Sequence, residues 1–330
     1  MSNMHTYSVV VPVYGNAGSI TDLMDRLEGI SFKVDGELEV VFVVDGSPDN
    51  SYDVLIAQLP NATFATQLLQ HSRNFGSFAA IRTGMSHARG DFIAVMAADL
   101  QEPPELAIEF FRVLASGCAD VTVGRRESRD DPRLSRFSSS AFWRLYRQWV
   151  FPDMPQGGVD IFACSRAVAE EVLRLDESHS SLVGLLYWVG FRRVEVPYSR
   201  LQREHGESGW SFSKKRKYLL DSIFSFTDLP LRLLIGVGST GAVITVLTAI
   251  AVLASFLAGA ISEPGYTPLM LVILFSTFTL LVALGIVGSY VWRAFENTKR
   301  RPGSIVMSHW ASSASTPPDG MPTHTEEKNQ

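Results

Sequence analysis

Two stretches without a charged residue, Leu233 to Ile261 and Thr267 to Trp292, constrain this chain more than any other feature. Coiled as helices, each is long enough to cross the roughly 30 Å hydrocarbon core of a bilayer, where backbone polar groups have no water to bond. The expectation is an integral membrane protein with helices over about 233–258 and 268–292. Lys214, Lys215, Arg216, Lys217 and Arg232 precede the first stretch, and Arg293, Lys299, Arg300 and Arg301 follow the second. The linker from Ser262 to Tyr266 has no Lys or Arg, so the positive-inside rule places both termini in the cytoplasm. Met1 to Ser8 lacks the apolar core of a secretory signal, which agrees with a multi-pass protein of the inner (plasma) membrane.

Neither stretch carries an ionisable residue, so an ion or proton path is excluded and anchoring is expected. Gly236, Gly238, Gly241, Gly285 and Gly288 permit close helix packing, between the two spans or between subunits. The net charge of -5 argues against a nucleic-acid partner. Cys118 and Cys164 lie in apolar surroundings without metal-ligand spacing and read as buried thiols in a reducing compartment. The tail, rich in Ser, Thr, Pro and charge from Ala311 onward, reads as disordered.

The part before the spans opens as β-α-β, with strands over Tyr7 to Val13 and Leu38 to Val44 around a helix from Ile20 to Leu27. A helix from Phe78 to Ala88, a strand from Asp91 to Ala97, a helix opened by Pro103-Pro104 and a strand from Ala119 to Val123 follow. This is the pattern of a parallel, nucleotide-binding type of sheet, whose ligands sit beyond the carboxyl ends of the strands. Those ends read Pro12-Val13-Tyr14-Gly15-Asn16, Asp45-Gly46-Ser47-Pro48-Asp49 and Asp99-Leu100-Gln101-Glu102-Pro103-Pro104. Taken singly, the second is also a plain turn and Asp99 also a carboxylate ahead of a helix.

Together with His71-Ser72-Arg73-Asn74-Phe75-Gly76, Gly124-Arg125, the Asp160 segment and Arg203 with Gly206-Glu207-Ser208, these motifs resemble the dolichol-phosphate-mannose-synthase-like group. That group includes the bacterial polyprenyl-phosphate glycosyltransferases, and the resemblance covers most of residues 7 to 300. It implies a GT-A fold, a Rossmann-like mixed sheet, over residues 1–210. It further implies an inverting transfer of one sugar from a nucleoside-diphosphate sugar to a polyprenyl (undecaprenyl) phosphate, with UDP-glucose the donor of the commonest bacterial relatives. By this resemblance Pro12, Tyr14, Asp45, Arg73 and Gly76 bind the nucleotide sugar, and Asp99 with Gln101 holds Mg²⁺ or Mn²⁺. A hard cation on oxygen ligands neutralises the charge of the departing diphosphate.

Arg125, Arg136, Arg203 and Ser208 are the candidates for the acceptor phosphate, the resemblance not choosing between Arg133 and Arg136. Forked guanidinium groups suit phosphate. Asp160 falls where bacterial relatives place a catalytic carboxylate. A phosphate monoester with a second pKa of about 6 is already nucleophilic, however, so Asp160 serves either as that carboxylate or to orient a sugar hydroxyl or the acceptor. Three positions depart from the family pattern: Ala97 and Val44 replace acidic residues, and Phe162 replaces an arginine. Residues 211–232 join a basic head to apolar positions at helical spacing and read as an amphipathic helix at the lipid interface, a helix of the domain core being the alternative. Residues 293–330 complete the chain as a mostly disordered tail, and the resemblance implies a homo-oligomer, a tetramer. Two rivals stand beside the enzyme: a polysaccharide synthase, which needs a Gln-x-x-Arg-Trp motif and more spans, and a non-catalytic scaffold favoured by Ala97 and Val44.

Overall fold

The computed structural model describes residues 5–126, 147–148, 150–155, 159, 161–175, 177, 181–201, 220–227, 229–258 and 266–312. Arg133, Arg136, Asp160, Arg203 and Ser208 lie outside the described residues.

Valine-rich runs dictate the centre of the molecule. Strands β1 (His5–Val13) and β2 (Gly36–Val44) are joined by helix α1 (Ile20–Ser31) and pair in parallel, Val9 opposite Val40. Helix α2 (Ser51–Gln58) leads to β3 (Ala65–His71), α3 (Ser77–His87) to β4 (Phe92–Val95), and α4 (Pro104–Ala115) to β5 (Val121–Arg126). Strand β6 (Phe162–Ser165) is followed by α5 (Arg166–Arg174), α6 (Leu182–Trp188) and β7 (Arg193–Tyr198). The long helices α7 (Leu229–Leu257) and α8 (Tyr266–Thr298) come next, and the chain then returns as β8 (Val306–Ser312). One eight-stranded sheet results, in the order β7-β5-β6-β4-β1-β2-β3-β8.

Successive side chains of a strand point to opposite faces, so both faces of this sheet are buried. Val9, Val11, Val13, Phe42 and Val44 join Leu23, Leu27, Phe110 and Phe111 under α1 and α4. On the other face Val10, Val41, Val43 and Phe162 pack with Met85 of α3, Val168 of α5 and Leu186 of α6.

The sheet is mixed rather than parallel. β6 runs antiparallel to β4 and β5, and β8 antiparallel to β3. Both reversed strands therefore begin at the edge where the parallel strands end. β8 also revises the expectation for 293–330. Residues 306–312, including Ala311 and Ser312, are an edge strand rather than disordered tail, because the backbone bonds to β3 and Trp310 packs against the core. Cys118 is likewise not buried: it is exposed after α4, whereas Cys164 lies fully inside β6, where burial pushes its thiol up to about 12.

Residues 220–226 are helical, with Leu220 exposed and part of their apolar side against protein. Ser222 and Ile223 are buried, and the Phe226 ring lies 5.1 Å from Phe151 in the core beside α6. A Cβ on Gly184 would come within 2.4 Å of Phe226. Arg293 of α8 donates to Asp221 at 2.8 Å and covers the Phe224 ring at 5.1 Å. Apolar side chains along α7 and α8, among them Leu233, Leu247, Leu281 and Leu284, are more than half exposed. Among the described residues one segment, Thr279–Thr298, is long and apolar enough to cross a membrane. Gly236, Gly238, Gly285 and Gly288 have no described atom within 4 Å of where a Cβ would stand.

Gly84 of α3 lies over β1, where an added Cβ would stand 2.2 Å from Val10 Cγ1. Overpacking at such a contact costs about 1–3 kcal/mol. Gly84→Ala is expected to lower the melting temperature of the detergent-purified protein by several degrees, read by differential scanning fluorimetry.

Candidate active site

The carboxyl ends of β1, β2, β3, β4, β5 and β7 lie on one edge of the sheet, together with the first residues of β6 and β8. The motifs at 12–16, 45–49, 71–76 and 99–104 meet there. Pro12 is half-buried at the end of β1 and Tyr14, just beyond, is half exposed. Gly15 takes φ +69° and donates its amide to Ser47 Oγ at 2.8 Å, joining the β1 exit to the β2 exit. Asp49 strengthens the joint by accepting from Ser47 Oγ, Ser51 Oγ and the amides of Ala17 and Ser51. Burial raises this carboxyl, but those hydrogen bonds outweigh it and hold it down to about 2. Its folded value being depressed, its contribution to stability is complete above the ordinary carboxylate range and is lost as pH falls through about 2.

Asp45 has turned inward. Its side chain is buried, with Oδ1 accepting from the Phe75 amide at 2.8 Å and facing His71 Nδ1 at 2.8 Å, while Oδ2 accepts from the Gly76 amide at 2.7 Å. Burial raises its carboxyl, and the bonds from His71, Phe75 and Gly76 overcome that and lower it. Asp45 thus shapes the 72–76 loop at the N-terminus of α3. Gly46 is needed beside it: φ is +57°, and a Cβ would stand 2.3 Å from the backbone of Arg73 and Asn74. Arg73 is exposed, its guanidinium 3.9 Å over the Phe75 ring. Gly76, at φ +99°, opens α3.

The β4 exit is strained. Leu100, between the two candidate metal ligands, adopts φ 61°, an uncommon conformation for a branched residue that surrounding structure must enforce. Its buried side chain and a 2.8 Å bond from Arg26 to its carbonyl do so. Asp99 is half-buried and accepts from the Gln101 amide at 3.3 Å. The side chain of Gln101 is buried, and its Oε1 accepts from Arg200 just after β7. That amide oxygen thus meets a cation of the protein. Among the described residues no three His, Cys, Asp or Glu side chains converge as a ligand set.

Beyond β5 and β7 lies a cavity of about 490 Å³ lined by Arg125, Arg126, Arg147, Asp153, Met154 and Glu195. Arg125 pairs with Glu195 at 3.2 Å, both partly exposed, and Arg126 donates to the Tyr198 hydroxyl at 3.4 Å. Nε of Arg147 is buried, with no hydrogen-bond partner among the described residues. Arg126 and Arg147 escaped sequence reasoning because isolated arginines are ordinary surface residues; only the fold gathers them. A second crevice, of about 790 Å³, runs between the 220–226 helix, α7 and α8, lined by Val150, Phe226, Leu231, Val287, Tyr290 and Val291.

Residues 8–173 match the model of the family described as glycosyl transferase family 2. The chain is 31% identical to a putative glycosyltransferase, CsbB, of Bacillus subtilis strain 168 over 299 residues, covering 91% of this chain and 90% of the relative. It is 29% identical over 303 residues to an uncharacterized glycosyltransferase, sll0501, of a Synechocystis strain, covering 92% and 95%. With the bactoprenol glucosyl transferase of Shigella phage SfV it shares 30% identity over 300 residues, covering 91% and 97%. The chain belongs to glycosyl transferase family 2 and is a glycosyltransferase.

Proposed function

We propose that the protein transfers one sugar, glucose from UDP-glucose, to a polyprenyl phosphate at the cytoplasmic face of the plasma membrane, with inversion. The observation that carries this reading is the single sheet edge shared by the loops of β1, β2 and β3, by Asp99 and by the arginine cavity. Relatives named bactoprenol glucosyl transferase support both the acceptor class and the sugar. In this reading α7 and α8 form a membrane hairpin, supported by their length and their exposed apolar side chains. The 220–226 helix then lies where the sheet edge approaches the head groups. The crevice between it and the long helices is apolar, as an isoprenoid would require.

The loops around Gly15, Gly46 and Arg73 hold the nucleotide, and Arg125, Arg126 and Arg147 receive the acceptor phosphate. Arg136, Arg203, Ser208 and Asp160 belong to the same proposal through the family resemblance. An oxygen of the acceptor phosphate attacks the anomeric carbon from the face opposite the diphosphate. The bond from that carbon to the diphosphate breaks, and the nucleoside diphosphate leaves with the electron pair. The attacking oxygen carries no proton at neutral pH, so no strong general base is needed. Asp99, with Gln101 beside it by the family resemblance, would hold a divalent cation, whose charge would offset that of the departing diphosphate.

Detergent-purified protein, undecaprenyl phosphate and a radiolabelled panel of nucleotide sugars test this, with label followed into the organic phase. Transfer from UDP-glucose is expected to need Mn²⁺ or Mg²⁺ and to fall roughly 10²–10³-fold in Asp99→Ala. No transfer from any donor by folded protein favours the scaffold. Arg147→Ala is expected to raise the acceptor KM by about 10-fold or more, the worth of one charge-assisted hydrogen bond, with the donor KM unchanged. Equal acceptor KM values would remove the arginine cavity from the reading.

A further inference from the structure

β8 starts at the same edge as the candidate active site because it runs antiparallel to β3, His71 pairing with Val306. Two residues before it, Ser304 Oγ lies 2.7 Å from Thr83 Oγ1 of α3. Thr83 Oγ1 lies 2.9 Å from His71 Nε2, and His71 Nδ1 lies 2.8 Å from Asp45 Oδ1. Asp45 in turn accepts from the Phe75 and Gly76 amides. A second strap runs beside this chain, the Ser72 amide donating to the Ile305 carbonyl at 3.0 Å.

Every group in the series can be satisfied. The carboxylate of Asp45 can only accept, so Nδ1 of His71 carries a proton. The Thr83 and Ser304 hydroxyls can each donate or accept, so they complete the series from Nε2 outward. His71, Thr83 and Asp45 are all buried, where hydrogen bonds polarise one another and an unmet partner is costly. β8 is itself pinned: Ser308 contacts Tyr52 and Gln70 at 3.3 and 3.2 Å, and His309 Nε2 lies 2.9 Å from Gln67 Oε1.

We propose that Ser304, acting through Thr83 and His71, is a positioning residue for the 72–76 loop, so that the segment following the second long helix sets the geometry with which that loop meets the donor. The inference rests on the reading of 72–76 as part of the nucleotide site. It makes the C-terminal segment a working part of the enzyme.

The test uses the full chain in detergent and two readouts, in Ser304→Ala, Thr83→Val and Thr83→Ser. Hydrogen exchange followed by mass spectrometry is expected to show faster exchange of the Phe75 and Gly76 amides in Ser304→Ala and Thr83→Val, with β1 and β2 peptides unchanged. Titration with UDP or GDP in Mn²⁺ is expected to give a Kd raised about fivefold in the same two variants, the worth of one net hydrogen bond. The acceptor KM should stay as in the unaltered chain, and Thr83→Ser, which keeps the hydroxyl, should restore both readouts. Should Thr83→Val fail to fold, the half-buried Ser304→Ala carries the comparison. Unchanged exchange and unchanged Kd in Ser304→Ala would overturn the proposal. Faster exchange with neither nucleotide bound by the unaltered chain would instead overturn the donor reading and this inference with it.

Discussion

A buried carboxylate is costly unless every lone pair is answered, and Asp45 is answered by two amides and an imidazole. Those three donors come from the end of β3 and the loop that opens α3, so one side chain fixes β2, β3 and α3 relative to each other at the sheet edge. The amides at the start of α3 gain an acceptor where the helix dipole favours negative charge. With Gly46 pressed against the backbone of Arg73 and Asn74, the loop has little freedom left. The rest of the candidate donor site is built outward from this joint: Ser47 and Asp49 extend it to the β1 exit, and Thr83 and Ser304 extend it to the C-terminal strand.

What the amino-acid order makes legible follows from where local pattern agrees with burial. β1, β2, α1, α3 and α4 carry strong periodicity and stand within a few residues of the expected places. β3, Ala-Thr-Gln-Leu-Leu-Gln-His, alternates poorly, and its Gln67 and His71 are buried for their hydrogen bonds rather than for hydrophobicity. β7 and β8 are edge strands with polar, half-exposed faces, so Val306–Ser312 looks like tail until its partner is known. At the site, position was legible and the contacts were not. Asp45 lies at the expected edge with its side chain turned to the 72–76 loop, and Gln101 meets Arg200 from a distant part of the chain. The contact between Thr83 and Ser304 spans 221 positions, and nothing local in either residue signals it.

The link between the sheet and the long helices rests on a few side chains. Asp221 and Arg293 form a pair with most of each side chain covered, at 18% and 25% exposure for Arg293 and Asp221. Removing one member leaves the other charge without its answer, which costs more than the intact pair contributes. On the other side of the same helix, Phe226 is seated against Phe151 and over Gly184. The 220–226 helix is therefore clamped between the catalytic domain and α8 rather than riding on lipid alone. Among the described residues α8 meets the domain at this clamp, and the residues that follow it meet the sheet through β8.

On the proposed reading, the donor and acceptor ends of the edge solve opposite electrostatic problems. Around Asp45 and Asp49 the carboxylates are already bonded to internal donors, so a nucleotide placed there would meet backbone and hydroxyl groups instead of free negative charge. Around β5 the excess is positive, three arginines against Asp153 and Glu195 in one cavity. The Arg125–Glu195 pair keeps that charge partly neutral while the cavity is empty, at little cost, since both side chains reach water. On the proposed reading an arriving phosphate dianion outbids a single carboxylate for the guanidinium, and Glu195 is exposed enough to turn to solvent. Exchange of one anion for another then commits Arg125 only when the lipid-linked phosphate is present, so the cavity need not hold an unbalanced cluster of cations between turnovers.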